Sequence, residues 1–260
     1  MGVVEGVFNA AVLERKAYWD EFRKRHAKAF AFLYNILYRP YKFQRRLHYG
    51  RIYRTFRDFT MISKHGFAGN LNLCDRFRHV EGSVVECGTW RGGMIAGIAC
   101  LFHDSRHYCL YDSYEGLPPA SEFDIDRWGQ SAGDLQQKKD KSLSNNNAAD
   151  ISYAQKAMSM VGVRNVHICK GWFKDTLPKY DFGPIAILRA DGDFYESTID
   201  TLENLFDYVA EGGLILFDDY YYWDGCAKAL HEFLSKHGLS EKICQSPEGY
   251  AYIVKRQKLH

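Results

Sequence analysis

Four aspartates in two short runs are the residues best placed by type and spacing to do chemistry. Asp191 and Asp193 stand in Arg189-Ala-Asp-Gly-Asp-Phe-Tyr195, and Asp218 and Asp219 close the run Leu214-Ile-Leu-Phe-Asp-Asp219. Carboxylates gathered in one place repel one another unless something compensates. A divalent cation does so, and carboxylates with waters are the ligands Mg2+ takes. A metal there would lower the pKa of a hydroxyl group and fix its lone pair for in-line attack, with a carboxylate taking the proton. Helix capping is the competing use of these aspartates, above all for Asp193, which precedes a helical stretch.

A second group lies in Val84-Val-Glu-Cys-Gly-Thr-Trp-Arg-Gly-Gly93. Glycines between a strand and a helix let the backbone pass close to a ligand, and the helix start offers free N–H donors. The strict G-x-G-x-x-G spacing is absent. Asp112 follows 24 residues after Gly88, where an acid can accept hydrogen bonds from both hydroxyls of a ribose. Together the two features point to an adenosine-containing cofactor, either a nicotinamide dinucleotide or S-adenosylmethionine. Glu86 favours the second, because a carboxylate in the cradle suits a cationic amino-acid moiety and repels a pyrophosphate.

The elements that must hold these groups follow from periodicity. From residue 71 short β-type runs alternate with helical stretches: strands at Ser83–Cys87, His107–Tyr111, Val166–Cys169, Ile185–Leu188 and Leu214–Phe217, with helices at Met94–Phe102, Ala149–Val161, Ser197–Tyr208 and Gly225–His237. Alternating β and α predicts a doubly wound parallel sheet, and ligands bind such sheets outside the carboxyl ends of the strands. Both aspartate pairs and Asp112 fall at those ends. Lys242–Gln245 and Tyr250–Lys255 flank a Pro-Glu-Gly turn and predict an antiparallel closing hairpin. Upstream, helices are expected over 8–37, stopped by Pro40, and over 43–64, ended by Gly66 and Gly69. Residues 113–148 form a long aperiodic insertion that reads as a partly ordered lid.

Composition bounds the rest. The chain has 260 residues, 46% apolar and 25% charged, an ordinary globular balance that excludes disorder and a mostly membrane-embedded chain. One α/β domain with a helical preface fits the length. No early apolar segment or myristoylation pattern is visible, which with seven cysteines lacking any C-x-x-C pair predicts buried free thiols in the cytoplasm. The net charge of +2 hides an asymmetry: residues 1–60 carry 13 Lys+Arg against 5 Asp+Glu, and the remainder is net negative. The basic segment allows three readings: a helical cap with a dimer contact, recognition of an anionic acceptor, or peripheral membrane contact near a lipid-linked glycan.

Five blocks, Glu86-Cys-Gly-Thr-Trp-Arg-Gly-Gly93, Tyr111-Asp-Ser-Tyr-Glu-Gly-Leu-Pro118, Lys170-Gly-Trp-Phe-Lys-Asp-Thr-Leu-Pro178, Asp191-Gly-Asp-Phe-Tyr-Glu-Ser-Thr198 and Gly212-Gly-Leu-Ile-Leu-Phe-Asp-Asp-Tyr220, resemble the macrocin O-methyltransferase family in order. Those enzymes methylate sugar hydroxyls with S-adenosylmethionine and Mg2+. The resemblance implies a Rossmann-like class I methyltransferase fold: a mostly parallel seven-stranded sheet with a C-terminal antiparallel hairpin over 71–260, behind a helical extension over 1–70. It implies that Glu86, Gly88, Thr89, Trp90, Arg91, Gly92 and Gly93 hold the methionine end of the cofactor, and Asp112 with Ser113 the ribose. Trp172 and Phe173 would border the adenine. Asp191, Asp218 and Asp219 would bind Mg2+, with Asp191 as base. Residues 1–60 and 119–148 match poorly, so the acceptor is not carried over.

The expected partners are a small-molecule or glycan acceptor and a second copy of the chain. Nucleic acid is not expected, since no Asn/Asp-Pro-Pro-Tyr follows the fourth strand. The competing functions are methylation of another small or phosphorylated acceptor, a nicotinamide-dependent sugar-modifying oxidoreductase, and a non-catalytic adaptor.

Overall fold

In a computed structural model of the chain, residues 39–138 and 147–256 are described. The helix expected over 8–37 lies outside them. The chain divides into two compact units, 1–48 and 49–260. The larger holds a seven-stranded sheet in the order β3-β2-β1-β4-β5-β7-β6. Its strands are β1 (Ser83–Cys87), β2 (Tyr108–Asp112), β3 (Val166–Lys170), β4 (Ile185–Ala190), β5 (Val209–Phe217), β6 (Cys244–Gln245) and β7 (Ala251–Val254). β1 to β5 pair in parallel, while β7 runs antiparallel to both β5 and β6. The helices are α1 (Arg39–Phe56), α2 (Lys64–Asp75), α3 (Gly93–Phe102), α4 (Ala132–Gln137), α5 (Ile151–Val161), α6 (Phe173–Thr176), α7 (Tyr195–Leu205) and α8 (Asp224–Lys236).

Strand side chains alternate between two cores, as the period of two requires. Val84, Leu110, Ile187, Leu214 and Leu216 join the core under α2, α3 and α5. Val85, Cys109, Leu188, Ile215 and Phe217 join the core under α7 and α8. With both faces covered, β1 and β4 are buried at every position, which is why they read as continuous apolar runs. Residues 49–75 also belong to the first core, through Ile52, Phe56, Phe67 and Leu71. All seven cysteines are free.

The sequence expectation departs furthest from the structure over residues 43–69. The helix expected over 43–64 ends at Phe56, and a new one starts at Lys64, where the Ser63 side chain accepts from the Gly66 amide. Gly66 and Gly69 do not end a helix; they lie inside α2. A Cβ on Gly66 would lie 2.1 Å from the Tyr250 hydroxyl, and one on Gly69 would lie 2.3 Å from Cγ of Glu248. The glycines let the β6–β7 turn sit directly on the helix, a packing demand that local sequence does not display.

Candidate active site

The strand order places a switch point between β1 and β4, whose chain connections leave in opposite directions, and ligands enter open α/β sheets at such points. A cavity of about 780 Å3 opens there. Glu86 near the end of β1 and Arg189 near the end of β4 are register partners on adjacent strands, so their side chains share a face. Asp191 lies two residues beyond Arg189. Asp218 follows directly on β5, its amide donating to the Ala190 carbonyl at 3.1 Å. One carboxylate oxygen from each of Asp191, Asp218 and Asp219 lies within 4.8 Å of the others. This all-oxygen donor set fits a hard divalent cation such as Mg2+.

Arg189 is a member of this site that its sequence setting did not single out. Its side chain is 1% exposed. Its guanidinium donates to Glu86 Oε1 at 3.0 Å, to Asp191 Oδ2, to Asp218 Oδ1 and, at 3.4 Å, to Asn70 Oδ1. Burial alone would lower its pKa, but Asp191, Asp218 and Glu86 more than offset that and hold it charged. Burial pushes Glu86 up to about 8, against the opposing pull of Arg189. Burial also pushes Asp218 up to about 7, again against Arg189. Asp219 is raised by burial and by the neighbouring Asp193 and Asp191. Carboxyls crowded in this way repel one another, and further positive charge at the site would relieve that repulsion. Glu86 Oε2 is buried without a hydrogen-bond partner, and Glu86 lines the cavity. The residues therefore also fit the cationic amino-acid end of S-adenosylmethionine.

The turn after β1 follows the backbone that glycine allows. Gly88 and Gly92 adopt φ of +92° and +77°, and Trp90 takes +47°. Asp112 holds this turn: it accepts from the Trp90 amide at 2.7 Å and from the Tyr114 amide at 2.6 Å. Gly88, Thr89, Trp90 and Asp112 line the cavity, as do Ser113, Trp172 and Phe173. The Ser113 hydroxyl closes its own turn, donating to the Gly116 carbonyl at 2.8 Å. Arg91, Gly92 and Gly93 are not among the lining residues. The Arg91 guanidinium stacks on the Trp90 and Tyr153 rings at 4.3 and 4.4 Å. Gly92 packs on Ala154, and Gly93 packs on the Phe59 carbonyl. Residues 59–63, the break between α1 and α2, form another part of the wall.

Asp193 does not cap a helix. The cap of α7 is Phe194, without a side-chain bond. Asp193 is held at φ +60°, accepts from the Trp223 indole at 3.1 Å and donates its amide to Asp219 Oδ2 at 3.1 Å. The first amide of α7, that of Tyr195, is instead satisfied by Asp124 Oδ1 at 2.8 Å. Asp124 comes from the aperiodic insertion, whose hairpin is stitched to the turn after β5: the Arg127 amide donates to the Tyr222 carbonyl and the Asp224 amide to the Ile125 carbonyl.

A model of the macrocin-O-methyltransferase (TylF) family matches residues 40–252. The chain belongs to this family. It is 34% identical over 177 residues to the 8-demethyl-8-(2,3-dimethoxy-alpha-L-rhamnosyl)-tetracenomycin-C 4'-O-methyltransferase of Streptomyces olivaceus, covering 64% of this chain and 63% of that protein. It is 33% identical over 181 residues to the mycinamicin III 3''-O-methyltransferase of Micromonospora griseorubida, covering 64% and 65%. Both alignments thus span less than two thirds of the relative. Among solved structures, the O-methyltransferase NovP is 29% identical with a TM-score of 0.62, covering 76% of this chain and 83% of that one. The calicheamicin methyltransferase CalS11, 17% identical with a TM-score of 0.58, shares the fold. The fold of this macrocin O-methyltransferase family member is that of the class I methyltransferases. No helix among its described residues is long and apolar enough to cross a membrane.

Proposed function

We propose that this chain transfers a methyl group from S-adenosylmethionine to a hydroxyl of a sugar, carried on a natural product or a glycan, with Mg2+ at Asp191, Asp218 and Asp219. The observation that supports it most is convergence: the three aspartates meet at one cavity with Glu86 and Asp112. The activities of the family relatives support the acceptor class.

When bound, the cofactor supplies an electrophilic methyl group and the metal supplies Lewis acidity that makes an acceptor hydroxyl more acidic. The chain's own residues then divide the work. Glu86 would hold the cofactor's ammonium group through the oxygen left without a partner. Asp112 would accept from the ribose hydroxyls with lone pairs not used by the Trp90 and Tyr114 amides. Trp172 and Phe173 would border the adenine. Asp191, held by Arg189, would be the base that takes the hydroxyl proton. Residues 113–138 would shape the acceptor side, and the basic segment 1–60 would contact an anionic acceptor, a lipid surface or a second copy.

The test is direct. Purified protein with S-adenosylmethionine and a panel of rhamnosides and other glycosides should yield S-adenosylhomocysteine and a methylated sugar by mass spectrometry. EDTA should abolish the product, and Mg2+ should restore it. Full turnover in EDTA would remove the metal from the reading. Cofactor binding with no glycoside methylated would move the acceptor to another class.

A further inference from the structure

We propose that Arg189 is the positioning residue of the metal centre: its guanidinium grips one oxygen of Asp191 and one of Asp218, leaving the other oxygen of each to the cation. The proposal rests on the divalent-cation reading of the three aspartates.

The geometry begins in the sheet. Arg189 is held on both sides by strand partners, Glu86 on β1 and Leu216 on β5. Its neighbours in β4 are apolar, from Ile185 to Leu188, and a charge among them is costly unless paired. It is paired on every side that faces a polar group. Nη1 serves Glu86 and Asp191, Nη2 serves Asp218, and Nε points to Asn70 of α2. A planar fork with five fixed donors can do this; a lysine ammonium is a point charge that cannot hold two separated carboxylates in set orientations.

The consequence falls on the ligands. Asp191 lies on the loop after β4, and Asp218 lies on the loop after β5. The Asp218 amide donates to the Ala190 carbonyl and the two side chains interact with each other, while Arg189 bonds to both carboxylates and sets how each is turned. Their side chains remain 26% and 17% exposed, so each is reachable from the cavity while gripped from behind. Without the guanidinium the carboxylates of Glu86, Asp191, Asp218 and Asp219 would repel one another at close range and spread. Partners that orient ligands in this way typically change metal affinity by roughly 10–100-fold when removed. The two carboxylates would each bind through a single oxygen, with Asp219 as the third protein ligand.

The experiment titrates Mn2+ into wild-type protein, Arg189→Lys and Arg189→Met, reading free Mn2+ by electron paramagnetic resonance, with near-ultraviolet circular dichroism as the check on folding. Wild type should bind one Mn2+ that Mg2+ displaces. Both variants should bind it roughly 10–100-fold more weakly, and lysine should not rescue. Should Arg189→Met not fold, Arg189→Lys, which keeps the charge, decides alone. Wild-type affinity in either folded variant overturns the proposal. Absence of Mn2+ binding in the wild type overturns the cation reading beneath it, a separate result.

Discussion

The backbone carbonyl of Asp191 occupies the space that a side chain on Gly88 would need: a Cβ there would lie 1.8 Å from the carbonyl oxygen. The Asp191 amide in turn donates to the Cys87 carbonyl at 2.8 Å. The turn after β1 and the loop after β4 are thus in direct backbone contact. Gly88→Ala would add a steric collision with backbone to the strain of φ +92°. Strain of this kind costs about 1–3 kcal/mol, and the collision can be relieved only by displacing Asp191. The expected outcome is a lower urea midpoint together with weakened metal binding and lost turnover. Wild-type stability and turnover in Gly88→Ala would show that the loop yields without disturbing the site.

Asp191 is expected to act on chemistry and metal, and the β1 turn with Asp112 is expected to carry cofactor affinity. Asp191→Ala should reduce turnover by roughly 10²–10⁴-fold, the usual contribution of a positioned general base. S-adenosylmethionine should still bind by calorimetry. A parallel loss of cofactor affinity would place Asp191 against the cofactor instead.

The aspartates were legible because strand ends can be read from apolar runs, and function in doubly wound sheets collects at those ends. Arg189 was not. A lone arginine closing an apolar strand reads like one that reaches for solvent, and its partner Glu86 lies 103 residues away. Only the β1–β4 register makes them neighbours. Asp124 was hidden for a related reason: its stretch has no period, and its hydrogen-bond donor, the Tyr195 amide, is 71 residues downstream. Gly66 and Gly69 look like helix stops because local sequence cannot distinguish a glycine that ends a helix from one that admits Tyr250 and Glu248. The same misreading concealed residues 59–63 as cavity wall, since they were expected inside a helix.

Glu86 should make the cofactor-free protein less stable as pH rises. Its folded pKa is pushed up to about 8 by burial, above its ordinary value near 4.3. Between those values the folded state binds more protons than the unfolded state, so unfolding free energy falls with increasing pH. The stabilisation is complete below the unfolded pKa and is lost as pH approaches and passes 8. Thermal midpoints in EDTA should therefore decline from pH 5.5 to 8.5, and the decline should be shallower in Glu86→Gln. Parallel pH profiles for the two proteins would assign the dependence to other groups.

Asp124 should set the position of the 191–195 turn from outside the site. Its carboxylate accepts from the Tyr195 amide at 2.8 Å and from the Ser121 amide and hydroxyl at 2.7 Å each, and it is 1% exposed. The bond to Tyr195 does the work of a helix cap supplied by a distant segment, and losing a cap costs about 0.5–2 kcal/mol. Gly225 is packed so closely that a Cβ there would lie 2.0 Å from Asp124 Oδ1. Asp124→Ala would therefore leave a part-buried amide unsatisfied and open a gap beside α8. Because the turn that begins at Asp191 ends at Tyr195, the expected effect is twofold: a lower denaturation midpoint, and faster amide hydrogen exchange at Tyr195 and its neighbours. Asp124→Asn keeps an oxygen for Tyr195 but turns an amide toward Ser121, so it should fall between. Unchanged exchange at Tyr195 in Asp124→Ala would mean that the turn is held by its other bonds, from Trp223 to Asp193 and from the Asp193 amide to Asp219.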